Sequence, residues 1–471
     1  MIELSRPQLS FAEGLIEEEV GSLWEPWMRH VDALLADREL LQIVYQGLAR
    51  RWPKSRTRGR PGTPAEVVLR LLLLKHLRNW SYRVLEREVR ANLVYRQFTR
   101  VGAEKVPDAK TLGKLAVALG PEIIEQLHRR VVAMAREKQI IRGRRLRLDT
   151  TVVETNIHYP TDSSLLGDGV RVLTRTMKRM AQIAGRAGTR LRDRTRTVRY
   201  RVMEIARASR SRVSQGRERM KGIYRKLLHS TARVVGQARR FAQDVATGLK
   251  RARHLMDQLS LEAAAAYLER MIPLVQQVML QTPERIFKGN THAAGKLVSL
   301  FEPHTEVIRK GKAAKPTEFG KMVKIQEAEA QIVTHYEVYD ERPSDSDLLL
   351  PAIGVHEQLL GRKPYLVTAD AAFFSQRNEA AAHARGIKRV AIPNRSTHSA
   401  QRKRLQKKRW FRNAQKWRTG CEGRISLLKR RHGLSRCRYK GLPGIKRWVG
   451  FGVIADNLIN IGHALAASPD N

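Results

Sequence analysis

The stretch of sequence that decides the fold is Leu146-Arg147-Leu148-Asp149-Thr150-Thr151-Val152-Val153. Apolar and polar side chains alternate through its first half, and alternation with a period of two residues is typical of a β-strand. The residues before it have the spacing of helices, so the period of the sequence changes near residue 145. We therefore predict that a domain containing a β-sheet begins at about residue 141, with Asp149 on its first strand.

Residues 1–140 are predicted to form a helical domain. Thr63-Pro64-Ala65-Glu66 has the pattern of a helix start, with the Thr as N-cap, the Pro at the first helical position and the Glu three residues after the cap. Ser81 and Asp108 are predicted to cap two further helices. Short capped helices with surface arginines are typical of a helix-turn-helix-like DNA-binding module. A plain helical packing domain is the alternative, because periodicity alone does not separate the two.

Residues 171–290 are predicted to be a basic helical insertion. Residues 171–255 hold 25 Lys and Arg against four acids, a net charge of +21. Apolar residues from Met220 to Leu249 recur at helical spacing, and Leu261–Leu280 could pack back as an antiparallel hairpin. A charge run is usually a solvated face, but this excess would repel itself without a polyanion nearby.

The remaining strand and helix signals place the rest of the sheet in residues 291–471. The predicted strands are Val298–Phe301, Lys321–Gln326, Ile332–Val338, Tyr365–Asp370 and Val390–Ile392. Ser344-Asp345-Ser346-Asp347 is predicted to cap a helix, and a second helix begins at Ser375. Together with residues 141–170, this order predicts a mixed sheet flanked by helices.

The composition points to a nucleic-acid partner. The 471 residues carry a formal net charge of +44, and the pI is about 11.1. Such an excess of cations favours DNA or RNA over a membrane surface. The apolar run Leu71–Leu74 is interrupted on both sides by charge, so we expect no membrane-spanning segment. Two cysteines, Cys421 and Cys437, give neither a disulfide framework nor zinc spacing, which favours a reducing cytoplasm.

Glu422 is the one carboxylate between residues 380 and 455, a range that contains 22 Lys and Arg. The surrounding sequence can run as a helix. Arg418, four residues earlier, and Lys429, seven residues later, then share the Glu422 face, since helical neighbours recur at three, four and seven positions. One acid between two cations along a ridge suits a site that holds a metal and a phosphate together.

Three carboxylates lie on predicted elements that could bring them together, namely those of Asp149, Asp370 and Glu422. Hard oxygen ligands select Mg²⁺ or Mn²⁺, and two such ions can support an in-line phosphoryl displacement. Each acid has an alternative interpretation. Asp149 could lie on the surface of an edge strand, Asp370 could cap the helix that follows it, and Glu422 could simply pair with Arg418.

These residues resemble the DDE transposases of bacterial insertion sequences, particularly the ISNCY-type group. The resemblance is carried by Gly59-Arg60-Pro61-Gly62-Thr63-Pro64, Trp80-Ser81-Tyr82-Arg83, Val106-Pro107-Asp108, Leu148-Asp149-Thr150-Thr151-Val152-Val153-Glu154, Thr368-Ala369-Asp370-Ala371-Ala372-Phe373-Phe374 and the Glu422 helix. It implies an α/β RNase-H-like catalytic core, an all-helical N-terminal DNA-binding domain and a long basic helical insertion.

The resemblance also implies roles for single residues. Asp149, Asp370 and Glu422 would form the metal-binding triad. Arg418 and Lys429 match an Arg-x3-Glu-x6-Lys signature, whose lysine helps to position DNA near the active site. The fuller family pattern has a Tyr three residues before that Arg, where this chain has Gln415.

The expected function is therefore transposition. The enzyme would bind the inverted-repeat ends of its own element, cut there with two Mg²⁺ or Mn²⁺ ions and join the freed 3′-hydroxyl to target DNA, without a covalent protein–DNA intermediate. We expect a homodimer or larger assembly on DNA, in the bacterial cytoplasm with the nucleoid. The alternatives are a non-catalytic DNA-binding relative and a metal-dependent nuclease of the same fold that cuts without joining. The presence of all three acids argues against the first.

Overall fold

The computed structural model of the chain describes residues 2–5, 19–51, 54, 62–185, 187–210, 214–292, 295–309 and 316–467. Gly59, Arg60 and Pro61, which carry part of the N-terminal resemblance, lie outside the described residues. The chain divides into two compact units. The first unit is Met1–Asn156 with Gly320–Asn471, and the second unit is Ile157–Phe319.

The described residues are mostly helical. The helices are α1 (Pro26–Leu35), α2 (Arg38–Arg51), α3 (Ala65–Leu77), α4 (Tyr82–Ala91), α5 (Leu93–Phe98), α6 (Ala109–Glu137), α7 (Asp162–Ala184), α8 (Thr195–Ala208), α9 (Ser214–Ala246), α10 (Leu255–Ile286), α11 (Leu349–Leu360), α12 (Gln376–Ala384), α13 (Ala400–Lys407), α14 (Arg409–Arg431) and α15 (Gly441–Ala466). The strands are β1 (Arg145–Glu154), β2 (Glu306–Arg309), β3 (Thr317–Glu327), β4 (Val333–Val338), β5 (Leu366–Thr368) and β6 (Arg389–Ala391).

The sheet of the first unit is mixed, as predicted. Its strands follow the order β4-β3-β1-β5-β6. The β3 strand is antiparallel to both β1 and β4, whereas β1, β5 and β6 are parallel to one another. The β1 strand is therefore central, and the alternative that placed Asp149 on an edge strand is wrong. The predicted strands Lys321–Gln326 and Ile332–Val338 are confirmed as parts of β3 and β4.

The predicted caps of α4 and α6 are confirmed. The Ser81 hydroxyl accepts the N–H of Val84 at 3.2 Å, and Asp108 accepts the N–H groups of Lys110 and Thr111 at 2.8 and 2.9 Å. Each cap satisfies backbone donors that have no partner inside the first turn of a helix. The Ser375 hydroxyl likewise caps α12 by accepting from the Asn378 N–H at 3.0 Å.

The predicted helix forms as α3, but its predicted N-cap is wrong. Its N-cap is Pro64 rather than Thr63, and within the described residues no side chain caps it. The backbone N–H groups of Ala65 and Glu66 instead donate to the carbonyls of Glu3 and Leu4, at 2.9 and 3.0 Å. A segment that is distant in sequence thus supplies the acceptors that a side-chain cap would otherwise provide.

The Ser344–Asp347 cap is also wrong. A short 3-10 turn, Asp345–Leu348, precedes α11, and neither helix has a side-chain cap among the described residues. The Asp345 carboxylate accepts the hydroxyl of Thr150 on β1 at 3.0 Å, so it is used between two elements rather than within its own turn.

The helices α1–α6 and α15 share one hydrophobic core. Residues 1–140 therefore belong to the same compact unit as the sheet, and no boundary between compact units lies at 140. By length and composition α15 could cross a membrane, so the expectation that no segment has these properties was too strict. Its apolar window is 67% buried in the protein, as is usual for a core helix.

The second unit is a helical assembly of α7–α10 around its own apolar core. The predicted stripe on α9 is confirmed, because Leu227, Val234 and Phe241 are fully buried. The unit is wider than the predicted segment 171–290, since α7 already begins at Asp162, after a capping box on Thr161. The β2 strand pairs with β3, whose first residues belong to this unit.

Val298–Phe301 does not form the predicted strand. The structure describes these residues as irregular, and the Ser299 hydroxyl accepts the N–H groups of Phe301 and Glu302 at 3.2 and 3.1 Å. This is a side-chain-stabilised turn. Leu300 is buried in the helical core, which shows that a short apolar run signals burial more reliably than it signals a strand.

Candidate metal and DNA site

Asp149 lies on β1, and Asp370 lies two residues after the neighbouring parallel strand β5, because the predicted strand Tyr365–Asp370 ends at Thr368. The parallel register of β1 and β5 aligns Arg147 with Thr368. Asp370 follows β5 with an extended backbone (φ −77°, ψ 176°), so continuing the register by two residues sets it beside Asp149. Neighbouring strands lie about 4.8 Å apart, and residues two apart share a face. The two carboxylates therefore leave the sheet at the same end and on the same face.

Asp370 also acts as a cap, as its alternative interpretation proposed. Its Oδ1 accepts the N–H of Ala372 at 3.0 Å, at the start of the 3-10 turn Ala371–Phe373. This bond holds the carboxylate at the end of the strand. This hydrogen bond involves only Oδ1, so the other carboxylate oxygen could still bind a metal ion.

Arg418 contacts the other two acids of the predicted triad. Its Nη2 donates to Glu422 Oε1 at 2.8 Å, and its Nη1 lies 3.7 Å from Asp149 Oδ2. The predicted sharing of a helix face by Arg418 and Glu422 is confirmed by the first contact. The guanidinium is mostly buried, with 12% of its side chain exposed, whereas the Glu422 side chain is 57% exposed. Lys429, seven residues beyond Glu422, follows on the same ridge of α14.

The three acids are not already arranged as a metal cage. Among the described residues, no group of three or more His, Cys, Asp or Glu is placed to hold a metal ion. The carboxylate chemistry nevertheless suits a hard divalent cation. The Arg418 guanidinium contacts both Asp149 and Glu422 and partly neutralises them. The chemistry of these donor oxygens therefore suits a hard cation.

Two buried ion pairs position α14, one at the sheet and one at α15, and sequence reasoning missed both. Arg147 and Glu327 are paired across β1 and β3, with Nε to Oε2 at 2.9 Å, and Arg147 Nη1 donates to the Trp417 carbonyl at 2.5 Å. Arg424 forms two bonds to Asp456 of α15, at 2.9 and 3.0 Å. Burial raises the pKa of Glu327, although its hydrogen bond to Arg147 opposes that rise.

Cys421, next to Glu422, has no feature of a nucleophile. It is fully buried, and this burial raises the pKa of its thiol well above the ordinary value. The negative charges of Glu327 and Asp149 raise the pKa further. A neutral buried thiol is inert, so Cys421 serves packing.

Comparison with known proteins gives two matches. Residues 25–116 match the family model described as Transposase domain (DUF772), and residues 377–461 match the one described as Transposase DDE domain. The second match contains Arg418, Glu422 and Lys429, whereas Asp149 and Asp370 lie outside both. The searches of curated proteins and of solved structures found no match.

The matched DDE domain defines a metal-dependent enzyme that cleaves or transfers DNA. The two matches together support a DDE transposase of an insertion sequence. A DDE domain implies an RNase-H-like core, and the mixed sheet flanked by helices agrees with that implication. Transposases act on DNA, and DDE transposases use divalent metal ions.

Proposed function

We propose that this transposase cuts DNA at the inverted-repeat ends of its own element and joins the freed strands to target DNA. Asp149, Asp370 and Glu422 would supply the metal ligands. The observation that supports the proposal is the parallel register of β1 and β5, which runs to Arg147 and Thr368, two residues before Asp149 and Asp370, together with the contacts of Arg418 to Asp149 and Glu422. Two Mg²⁺ or Mn²⁺ ions, when bound, would activate the attacking oxygen and stabilise the leaving one.

Arg418 and Lys429 would bind the DNA strand beside the carboxylates. Within the described part of the chain, Nε and Nη1 of Arg418 have no hydrogen-bond partner. A guanidinium is suited to bind a phosphate through two N–H groups at once. If the ions replace its charge between Asp149 and Glu422, Arg418 becomes available to the phosphate.

The first experiment tests the catalytic role of Asp149. Asp149→Asn keeps the shape of the side chain and removes its charge. We expect Mg²⁺-dependent nicking of DNA carrying the inverted repeats to fall at least 100-fold, as for the loss of a group required in the transition state. Glu341→Gln, an exposed acid of the same unit, should leave nicking unchanged. Equal nicking by Asp149→Asn and wild type would support a non-catalytic DNA-binding relative.

A second experiment separates the transposase from a nuclease of the same fold. DNA ends cut beforehand, with free 3′-hydroxyls, are offered together with a supercoiled target. The transposase should produce joined products that depend on Mg²⁺ and on Asp149. A nuclease would nick the target and give no joined product.

We further propose that the second unit binds the DNA backbone through a groove between α7 and α8. The cations that line this groove are Arg171, Arg175, Lys178, Arg196 and Arg199. Arg171 and Lys178 pair with Asp168 and Asp193. Arg175, Arg196 and Arg199 form no ion pair with another described residue. Three exposed guanidinium groups around one groove are suited to phosphate contacts.

The groove is tested by the salt dependence of DNA binding. Replacing Arg175, Arg196 and Arg199 with Ala should weaken binding and reduce the slope of log K against log salt by about 2 to 3, since each phosphate contact contributes about 0.9. The matched control replaces three exposed arginines of α9, Arg233, Arg239 and Arg240, with Ala. Equal losses in the two triple variants would show that net charge, not the groove, determines binding.

The remaining proposals concern the oligomeric state and the localisation of the protein. Two ends must be cut together, so we propose a homodimer or larger assembly on DNA, in the bacterial cytoplasm and on the nucleoid. Membership of the ISNCY-type group and DNA binding by the helices of residues 1–140 remain predictions. Light scattering of the protein alone and with a DNA end measures the number of protomers. A single protomer on each isolated end would contradict the proposed assembly.

A further inference from the structure

One side-chain amide connects α14 to the ends of two strands. Gln415 Nε2 donates to the Thr368 hydroxyl at 2.9 Å and to the Ala391 carbonyl at 2.5 Å. The carbonyl of Ala369 lies 3.3 Å from the same nitrogen. Thr368 and Ala391 are the last residues of β5 and β6, and Ala369 directly precedes Asp370. The contact is therefore made next to one acid of the proposed triad.

The partners of this amide determine its orientation. The Thr368 hydroxyl donates to the Ala391 carbonyl at 2.9 Å, so it offers Gln415 a lone pair and not a proton. The carbonyls of Ala369 and Ala391 are acceptors only. Three acceptors facing one nitrogen require the NH₂ end of the amide, and a carboxylate of the same shape would be repelled.

Gln415 lies on the same ridge of α14 as the residues of the site. It is three positions before Arg418 and seven before Glu422, and both separations keep side chains on one helix face. The amide contact therefore fixes the helix that carries Glu422 to the strand that delivers Asp370. The Arg147 contact to the Trp417 carbonyl is made two residues further along the helix.

We propose that Gln415 is a positioning residue for the metal site, which sets the distance between Glu422 and the Asp149–Asp370 pair. This inference rests on the proposed role of the three carboxylates. The tyrosine of the family pattern has one O–H donor in place of two N–H donors, so it would leave part of this contact unmade. In this chain, the side chain at position 415 binds other residues of the protein and not an external ligand.

The test measures metal binding directly, on the full chain. Gln415→Met keeps the length of the side chain and removes both donors, and Gln415→Glu replaces donors with acceptors. Mn²⁺ binding is followed by electron paramagnetic resonance. We expect the affinity to fall about tenfold or more in both variants, because groups that orient metal ligands typically contribute 10–100-fold. Gln401→Met, at an exposed glutamine of α13, is the matched control and should bind Mn²⁺ normally.

Thr368 provides a second variant at the same contact. Thr368→Ser keeps the hydroxyl and should keep the Mn²⁺ affinity, whereas Thr368→Val should lower it. The double variant Gln415→Met with Thr368→Val should lower the Mn²⁺ affinity by less than the sum of the two single effects, because both remove one shared contact. DNA affinity in metal-free buffer should be unchanged in all of them.

The outcomes separate this inference from the proposed function. If Gln415→Met and Thr368→Val bind Mn²⁺ like wild type while Asp149→Asn does not, Gln415 has no positioning role and the triad stands. A loss of thermal stability without a change in Mn²⁺ affinity would likewise overturn the positioning role. If Asp149→Asn itself binds Mn²⁺ like wild type, the proposed metal site is wrong.

Discussion

Arg147 and Glu327 face each other across β1 and β3 and form a bidentate ion pair on the same face of the sheet as Asp149. The Glu327 side chain is fully buried, and that of Arg147 is 6% exposed. Arg147 also reaches the Trp417 carbonyl of α14. A buried pair contributes little compared with apolar residues of the same size, but breaking it leaves an uncompensated charge. The pair therefore determines where α14 rests on the sheet.

Removing the Glu327 charge should destabilise the protein. Glu327→Gln leaves Arg147 buried without its anion, at a cost of about 3–5 kcal/mol in the free energy of unfolding. Denaturant unfolding measures this cost, with Glu341→Gln, at an exposed acid of the same unit, as the control. A loss below about 1 kcal/mol would show that Arg147 finds another partner.

Two glycines of α14 offer a matched pair of substitutions. A Cβ at Gly420 would collide with the Arg147 guanidinium, whereas a Cβ at Gly423 meets no atom within 4 Å. Gly420→Ala should therefore displace Arg147 and destabilise the protein by about 1–3 kcal/mol. Gly423→Ala should stabilise it by up to about 1 kcal/mol, since alanine favours a helix. The two melting temperatures test this prediction, and shifts in the same direction would contradict it.

The sequence predicted the elements that depend on local pattern. The alternation around Asp149 predicted β1, and the helical spacing of Arg418 and Glu422 predicted their contact on α14. Ser81 was predicted as a cap because a cap bonds to backbone within three residues. Each of these signals lies within a few residues of its effect.

The sequence did not predict contacts whose partners are distant along the chain. The start of α3 is satisfied by Glu3 and Leu4, and Glu327 finds Arg147 only through the pairing of β1 with β3. The sequence shows only that Gln415 replaces the tyrosine of the family pattern. Its hydrogen-bond acceptors are not predictable from the sequence, because they belong to the ends of β5 and β6. Tertiary pairing, and not local propensity, determines such contacts.

Removing the Arg418 charge should strengthen metal binding and weaken catalysis. The guanidinium lies between Asp149 and Glu422, where it competes with a divalent cation. Such a partly exposed pair contributes about 0.5–1 kcal/mol, so Arg418→Met should bind Mn²⁺ about two- to fivefold more tightly. Nicking should nevertheless fall, because a phosphate ligand is lost. Calorimetry of Mn²⁺ binding, with Arg412→Met of the same helix as the control, tests the first part. Weaker Mn²⁺ binding by Arg418→Met would show that Arg418 supports the site instead.

The burial of Lys75 should make the stability of the protein depend on pH in an unusual way. Lys75 is buried among the rings of Tyr82, Tyr439 and Trp448, with its Nζ 5.0, 5.0 and 4.6 Å from the ring centroids. Burial lowers the pKa of Lys75 to about 7, and the positive charge of Arg438 lowers it further. In the unfolded chain the lysine keeps its proton up to its ordinary pKa, near 10.5.

Between these two pKa values the unfolded chain binds more protons, so the free energy of unfolding should rise with pH. The rise from Lys75 should approach about 1.4 kcal/mol per pH unit above pH 7. We restrict the measurement to pH 6.5–8.5, because the buried thiol of Cys421 has a raised pKa and opposes the rise at higher pH. Lys75→Met should flatten the dependence, while Lys110→Met, at an exposed lysine, should keep it. Denaturant unfolding at several pH values measures the slopes, and equal slopes in wild type and Lys75→Met would show that Lys75 keeps its proton in the folded protein.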